Sequence, residues 1–399
     1  MPATDFLIIG GGVIGINIAR EIKREFADTS VTILEKEPSC GAHASGRNSG
    51  VLHAGFYYTA DSLKARFTRD GNRLLTAYCE NRKIPINKCG KIVVAKDEVE
   101  NRMLDELLRR GKKNGVALEE VSGKHVHEIE PRAITFERAI FSPTTSAADP
   151  GAVIKSMEQD ARAEGIYIHN AVSYIKATQN RVTTTKGVYD AGYVINASGL
   201  YADKIARDFG FSERFRILPF KGLYLKSDEP PGAFRTNVYP VPDLRNPFLG
   251  VHITVQVDGH VKLGPTAIPA LWREQYNGID NFHMREFIEI AARSASFFAA
   301  SGFDFKRLAI SEVRKYSRRR MVALASSLAH DITEANFKHW SKPGIRAQLV
   351  DVKARKLEMD FVLEGDEKSM HILNAVSPGW TCSIPFSRYV VQEITRRFN

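Results

Sequence analysis

Hydrophobic positions change period twice within the first 35 residues. Asp5–Ile9 is a short apolar run that ends in Gly10-Gly11-Gly12-Val13-Ile14-Gly15. Ile14, Ile18, Ile22 and Phe26 then recur every four residues, the spacing of one helix face. Val31-Thr32-Ile33-Leu34 is apolar again and closes on Glu35, twenty residues after Gly15. The pattern predicts strand, glycine turn, helix, strand and acid in that order. Further along, strands are predicted at Lys91–Ala95, Leu218–Lys226, Gly250–Val257 and Val261–Gly264, with Asp258-Gly259 as a hairpin turn. Helices are predicted over Glu98–Asn114, ended by Gly115, and over Pro150–Glu164, started by Pro150 and stopped by Gly165. Tyr193–Ala197 reads as a buried strand that enters the small turn Ser198-Gly199. Phe282–Ala329 reads as mostly helical, Met370–Ala375 as a last buried strand, and Phe386–Arg397 as a terminal helix.

The opening order is the one a dinucleotide-binding βαβ unit needs. Gly10 permits the tight turn, Gly12 lets backbone approach a pyrophosphate, and Gly15 lets helix and strand pack closely. Free N–H groups at the helix start favour an anion there. Glu35 would accept hydrogen bonds from a ribose diol, which argues against a 2′-phosphate. One such fingerprint is visible, so electrons are expected to come from the substrate itself. The apolar strands near both termini predict that the two ends of the chain build one nucleotide-binding unit, interrupted by a substrate unit. The expected division is 1–85, 146–212 and 343–399 for the first, and 86–145 and 213–342 for the second.

Composition narrows this. The chain has 399 residues and is 43% hydrophobic, enough for a large core. No apolar run is long enough to span a bilayer. The first strand starts so near Met1 that no signal or transit segment is expected, which suggests a cytoplasmic protein. Cys40, Cys79, Cys89 and Cys382 show no metal-ligand spacing and read as reduced thiols. The net charge of +10 is partly clustered between Phe305 and Arg320, ahead of the apolar Met321–Ala329. That segment, 305–329, suits a solvated helix face beside a core segment, with peripheral contact with the inner face of an anionic membrane as the alternative. No nucleic-acid recognition motif is present.

Residues 43–58 hold the second constellation. Ser45, Arg47, Asn48 and Ser49 suit a pyrophosphate or a flavin edge, and His53, Tyr57 and Tyr58 can hold or move protons. Here the sequence resembles the L-2-hydroxyglutarate dehydrogenase/oxidase family, within the D-amino-acid-oxidase-like FAD oxidoreductases. The resemblance spans nearly the whole chain. It rests on Gly10–Gly15 with Glu35, Asn48–Gly55 with Tyr57-Tyr58, Ser62–Ala65, Cys89-Gly90-Lys91, Pro247–His252, Gly264-Pro265, Gly344–Gln348 and Asn374–Pro378. The sequence departs from the family pattern at Arg47, Lys221, Leu223, Val255-Gln256, Thr266 and Gly379-Trp380, several of them in the expected substrate region.

The resemblance implies an α/β fold: a Rossmann-like FAD-binding domain with an interleaved α+β substrate domain on a mixed or antiparallel sheet. It implies FAD contacts from Gly10, Gly12, Val13, Ile14, Gly15, Glu35, Lys36, Ser45, Arg47, Asn48, Ser49, Val172, Ala197, Gly199, Gly264, Arg346, Ser377, Gly379, Trp380 and Thr381. It also implies oxidation of a small 2-hydroxy acid, L-2-hydroxyglutarate to 2-oxoglutarate, by hydride transfer from C2 to flavin N5. Oxygen or a quinone would be the electron acceptor. Such chemistry needs a base for the hydroxyl proton and a cation for the carboxylate. Arg346 is the candidate anchor, because a guanidinium matches a carboxylate bidentately. His53 and His252 are the candidate bases. Lys221 and Lys64 are candidates for a second carboxylate, with Tyr57 and Tyr224 lining the pocket. A flavin amine oxidase of the glycine-oxidase type needs a similar scaffold. A low-turnover membrane-associated flavoprotein would instead use the basic segment.

Overall fold

The computed structural model describes residues 3–244, 250–300, 310 and 312–398. The predicted opening unit forms as strand β1 (Ala3–Ile9), helix α1 (Val13–Glu25) and strand β2 (Val31–Leu34). Two glycines fix the angle between strand and helix. Gly10 has φ +115°, a conformation that disfavours a side chain. A Cβ on Gly15 would stand 2.0 Å from the Gly10 carbonyl oxygen, so only glycine fits there.

These elements enter an eight-stranded sheet. Its order runs Tyr174–Thr178, Arg181–Thr184, Gly187–Asn196, β1, β2 and Tyr167–His169, with Ser369–Asn374 and then Val362–Gly365 branching from Gly187–Asn196. Gly187–Asn196, β1, β2, Tyr167–His169 and Ser369–Asn374 pair in parallel. Segments from the start, middle and end of the chain therefore share one sheet. Helices α1, Leu63–Asn81, Pro150–Ala163 and Gly379–Phe398 bury their apolar faces in one core against it, through residues such as Ile16, Phe67, Met157 and Phe386.

A second eight-stranded sheet runs His339–Trp340, Leu225–Lys226, Val261–Gly264, His252–Val255, Asn237–Pro240, Lys91–Val94, Arg138–Ser142 and Glu119–Ser122. A four-stranded sheet joins Ile268–Pro269, Phe215–Gly222, Gly344–Asp351 and Lys356–Leu357. The architecture is α/β, a Rossmann-like domain with a mixed-sheet second domain.

The structure departs from the sequence-based expectation at five places. Leu218–Lys226 is two strands, because Leu223 and Tyr224 carry the chain from the four-stranded sheet to the larger one. Gly344–Asp351 pairs along its length with Phe215–Gly222, so the expected boundary at 343 cuts a sheet. Leu63–Asn81 is a helix that the periodicity did not single out. The terminal helix starts at Gly379 and runs through Pro385. Within 305–329, residues 305–309 and 311 lie outside the described residues, and the described part forms Arg314–Tyr316 and Arg318–Ala325. Met321, Val322, Ala325, Leu328 and Ala329 are buried in the core of the second sheet, so this apolar half does not face a membrane. Among the described residues no helix is long and apolar enough to cross one.

A buried ion pair ties the two domains beside the Gly199–Tyr201 turn. Arg273, fully buried, pairs with Asp203 at 2.7 Å and donates to the Leu200 carbonyl. Arg273→Leu leaves Asp203 and the neighbouring Glu286 without this cation. A loss of about 3–5 kcal/mol is expected in guanidinium denaturation, because a buried charge left without its partner is costly.

Candidate active site

A cavity of about 730 Å³ runs along the carboxyl ends of β1, β2 and Gly187–Asn196. Its first end is built by the opening unit. Glu35 closes β2 with both carboxylate oxygens engaged: Oε2 accepts Gly11 N–H at 2.8 Å and Oε1 accepts Glu37 N–H at 2.9 Å. Each oxygen keeps a lone pair for a ribose hydroxyl. Val13 N–H donates to Ser45 Oγ at 3.0 Å, which locks the 41–50 loop onto the start of α1. A Cβ on Gly12 would reach within 3.1 Å of that hydroxyl, so glycine keeps the helix N-terminus open to an anion. Ala197 and Gly199 wall the opposite side, and Val172 N–H bonds the Glu35 carbonyl at 2.9 Å.

The loop after β2 shapes the middle of the cavity. Asn48 donates to the Ser45 carbonyl at 2.6 Å and accepts Gly50 N–H at 2.8 Å, so it braces the loop. Arg47 donates to the Ala42 carbonyl at 2.8 Å and lies 4.3 Å from the centroid of the Tyr276 ring. Thr381 joins this loop to the last helix: its hydroxyl donates to the Val51 carbonyl and accepts His53 N–H, both at 3.3 Å. Gly379, Trp380 and Thr381 thereby present a helix N-terminus to the cavity. Glu37, His43 and Glu274 meet nearby, but Lys36 Nζ bonds both carboxylates and occupies the place of a cation.

The far end carries the titratable groups. His53, Tyr224 and Arg346 line it. The Arg346 charge acts on His53, Tyr58, Lys64, Tyr224, Tyr239 and His252, which gathers six side chains from different elements around one guanidinium. Burial, with help from the Lys91 and Arg346 charges, pushes His53 down to about 3. Burial, then His53, Lys91 and Arg346, hold His252 well below the ordinary value. Both imidazoles are therefore neutral at physiological pH and can accept a proton. His252 stacks on Tyr239, with ring centroids 3.7 Å apart, and its Nδ1 meets the Gly250 carbonyl at 3.0 Å.

Of the residues singled out in the sequence, Gly10, Gly12, Val13, Ile14, Glu35, Lys36, Ser45, Arg47, Asn48, Ser49, Val172, Ala197, Gly199, Ser377, Gly379, Trp380 and Thr381 line the cavity with His53, Tyr224 and Arg346. Gly15 and Gly264 do not. They act one layer back, Gly15 under the Gly10 carbonyl and Gly264 against Leu223 and Tyr224. Lys221 is misplaced for the role expected of it. Phe220 pairs with Arg346 and Lys221 with Ile345, so the two cations point to opposite faces of their sheet. Tyr57, Lys64 and His252 stand behind the lining, and Lys64 lies 5.9 Å from the Tyr58 ring centroid. Sequence reasoning grouped Tyr58 with His53 but missed Lys91 and Tyr239 as members of this cluster. Lys91 carries a usable signal: it is a charged residue at the head of the otherwise apolar strand Lys91–Val94.

The residues along the cavity fit an extended dinucleotide, with Glu35 and the start of α1 at one end and His53 and Arg346 at the other. The chain belongs to the FAD dependent oxidoreductase family, whose pattern matches residues 5–392, and it is an FAD-dependent oxidoreductase. It is 34% identical over 397 residues to L-2-hydroxyglutarate dehydrogenase of Escherichia coli O17:K52:H18 (strain UMN026 / ExPEC), covering 98% of this chain and 93% of that one. The mitochondrial L-2-hydroxyglutarate dehydrogenase of Homo sapiens is 33% identical over 419 residues, covering 99% and 89%. In fold it is similar to L-alpha-glycerophosphate oxidase from Mycoplasma pneumoniae with FAD bound (TM-score 0.77, 21% identity, 99% and 95% covered). It is also similar in fold to glycine oxidase from Geobacillus kaustophilus (TM-score 0.74, 18% identity, 100% and 96% covered).

Two outcomes follow from these contacts. Glu35→Ala is expected to weaken FAD binding roughly 10-fold or more, since charge-assisted bonds to the ribose are lost; flavin fluorescence released on dialysis measures it. Lys91→Met is expected to raise stability at pH 7. Burial pushes the folded-state Lys91 down to about 7 from the ordinary 10.5, so between these values the unfolded chain binds a proton that the folded chain refuses. Wild-type stability therefore climbs from pH 7 towards 10.5, and the advantage of the variant shrinks over that window. Urea midpoints of both proteins at the two ends of the window check this.

Proposed function

We propose that the chain oxidises a small 2-hydroxy acid, L-2-hydroxyglutarate, to its 2-oxo acid. The observation that carries the reading is the meeting of Arg346 and a neutral His53 at one end of the cofactor cavity. The substrate assignment draws support from full-length relatives that bear the L-2-hydroxyglutarate dehydrogenase name.

Arg346 holds the carboxylate next to C2 through two parallel N–H bonds and so fixes which face of C2 is presented. Misplacement by even ~1 Å would be costly in rate. His53 takes the hydroxyl proton as the C2–H bond breaks. FAD, when bound, would supply the two-electron acceptor for the hydride from C2. Substrate binding also tunes the base. In the free protein the Arg346 charge helps keep His53 deprotonated. A carboxylate on Arg346 neutralises that charge and raises proton affinity at His53 when the proton must move. His252, behind His53, is the second base candidate, and its stack on Tyr239 holds its ring in place. Tyr224 stays protonated, raised to about 12 by burial, and closes the pocket beside Arg346.

Anaerobic addition of L-2-hydroxyglutarate to the FAD-loaded protein is expected to bleach the visible flavin absorbance, while the D-isomer leaves it unchanged. His53→Asn is expected to slow bleaching by roughly 10²- to 10⁴-fold with affinity nearly unaltered, the usual range for a lost general base. A protein that stays yellow with this acid but bleaches with glycine would replace this reading with amine oxidation.

A further inference from the structure

Buried donors in folded proteins have partners as a rule. Beside His53, Lys91 Nζ and the Tyr57 hydroxyl have none among the described residues, and the Tyr239 hydroxyl has only Thr254 near it. The three belong to one cage. Nζ lies 4.6 Å from the Tyr57 ring centroid, 5.0 Å from that of Tyr239 and 4.7 Å from that of Phe56. Cation–π contact returns only part of what it costs to bury an ammonium without a counter-ion. An apolar side chain would suit this strand position better for stability alone. The cage is therefore retained for something other than the fold.

Sheet register explains its position. Lys91 pairs with Asn237 on the parallel neighbour, so Tyr239, two residues on, shares its face. Val238 pairs with Ile253 on the next strand, which sets Tyr239 beside His252 on that face. The chain from Ala54 to Tyr57 packs over it and brings in Phe56 and Tyr57. The cage thus shares a sheet face with His252, one layer behind the cavity lining, and its cation acts on both imidazoles.

We propose that this cage receives the second carboxylate of a dicarboxylate 2-hydroxy acid, with Lys91 as the specificity-determining cation and the Tyr57 and Tyr239 hydroxyls as further donors. The inference rests on the 2-hydroxy-acid oxidation proposed above, in which Arg346 takes the first carboxylate. The other buried lysines fit less well. Lys64 has the Asp360 carboxylate nearby to offset its charge, and Lys221 lies on the face opposite Arg346. A diacid also matches the electrostatics around His53, since the two cations that repel a proton there are Lys91 and Arg346. One carboxylate on each removes both sources of repulsion; a monoacid removes one.

The test uses FAD-loaded wild type, Lys91→Met and Tyr239→Phe. Glutarate and pentanoate, which lack a reactive hydroxyl, are titrated against the flavin spectrum to give equilibrium binding. L-2-Hydroxyglutarate and L-2-hydroxypentanoate are added anaerobically to give bleaching rates. Lys91→Met is expected to weaken glutarate roughly 30-fold, the worth of a charge-assisted contact, and to change pentanoate by less than about 3-fold. Tyr239→Phe keeps the ring on His252 and is expected to weaken glutarate alone by roughly 5-fold; it tests the cage with Lys91 in place. Unchanged glutarate affinity in both variants, or equal loss of both acids, overturns the cage. Wild type that binds glutarate with the Lys91 dependence but is not bleached by L-2-hydroxyglutarate overturns the reaction and leaves the diacid site. Bleaching of wild type with no effect of either variant on the diacid preference overturns the site and leaves the reaction.

Discussion

The close approach of Gly15 to the Gly10 carbonyl sets the geometry on which the rest of the molecule depends. With no Cβ at either position, α1 drops onto β1 at the one angle that aims its free N–H groups across the ends of the parallel strands. Gly10 also presses against Ala197, so the same contact fixes the turn after Gly187–Asn196. That turn is the opposite wall of the cavity and leads into Leu200 and Asp203, where Arg273 of the second domain is anchored. A single backbone packing constraint thus positions the cofactor cradle and the seam between domains.

The far end of the cavity is made differently, by convergence. Arg346 comes from the four-stranded sheet, His252 and Tyr239 from the larger sheet, His53 from the loop after β2, and Lys64 from the start of Leu63–Asn81. Asn237–Pro240 and His252–Val255 are consecutive strands, but Gly344–Asp351 and the segment from His53 to Lys64 come from distant parts of the chain. Crowding several cations and imidazoles in a dry place depresses their proton affinities and is unfavourable for stability. The same arrangement is favourable for binding an anion and for keeping a base ready. Stability and function therefore pull apart at Lys91, His53 and Arg346, as they do at many active sites.

The comparison between sequence and structure divides along that line. The opening unit was legible because its signals are local: glycine spacing, a four-residue repeat and an acid at the strand end. The helices at Glu98 and Pro150 were legible for the same reason, since Asp97 and Asp149 cap them and Gly115 and Gly165 end them at positive φ. Leu63–Asn81 was not, because Gly71 lies inside it and no glycine marks its end. Gly344–Asp351 carried a recognisable motif but no pattern of its own, since its strand identity comes from pairing with Phe215–Gly222. The terminal helix was expected from Phe386, yet it starts at Gly379 and passes through Pro385.

By itself the sequence determined the dinucleotide fold, the acid at Glu35, the residue types available for chemistry and, through resemblance, the FAD-dependent class. The first two follow from spacings of a few residues, which act before any tertiary contact exists. Tertiary structure alone decided which cations and imidazoles share a site. Strand register turned Lys221 away from Arg346 and put Tyr239 beside His252, because a one-residue offset in a sheet reverses the face of every side chain. Burial then decided their charge: the aromatic cage around Lys91 and the dry surroundings of His53 exist only when distant strands close over them.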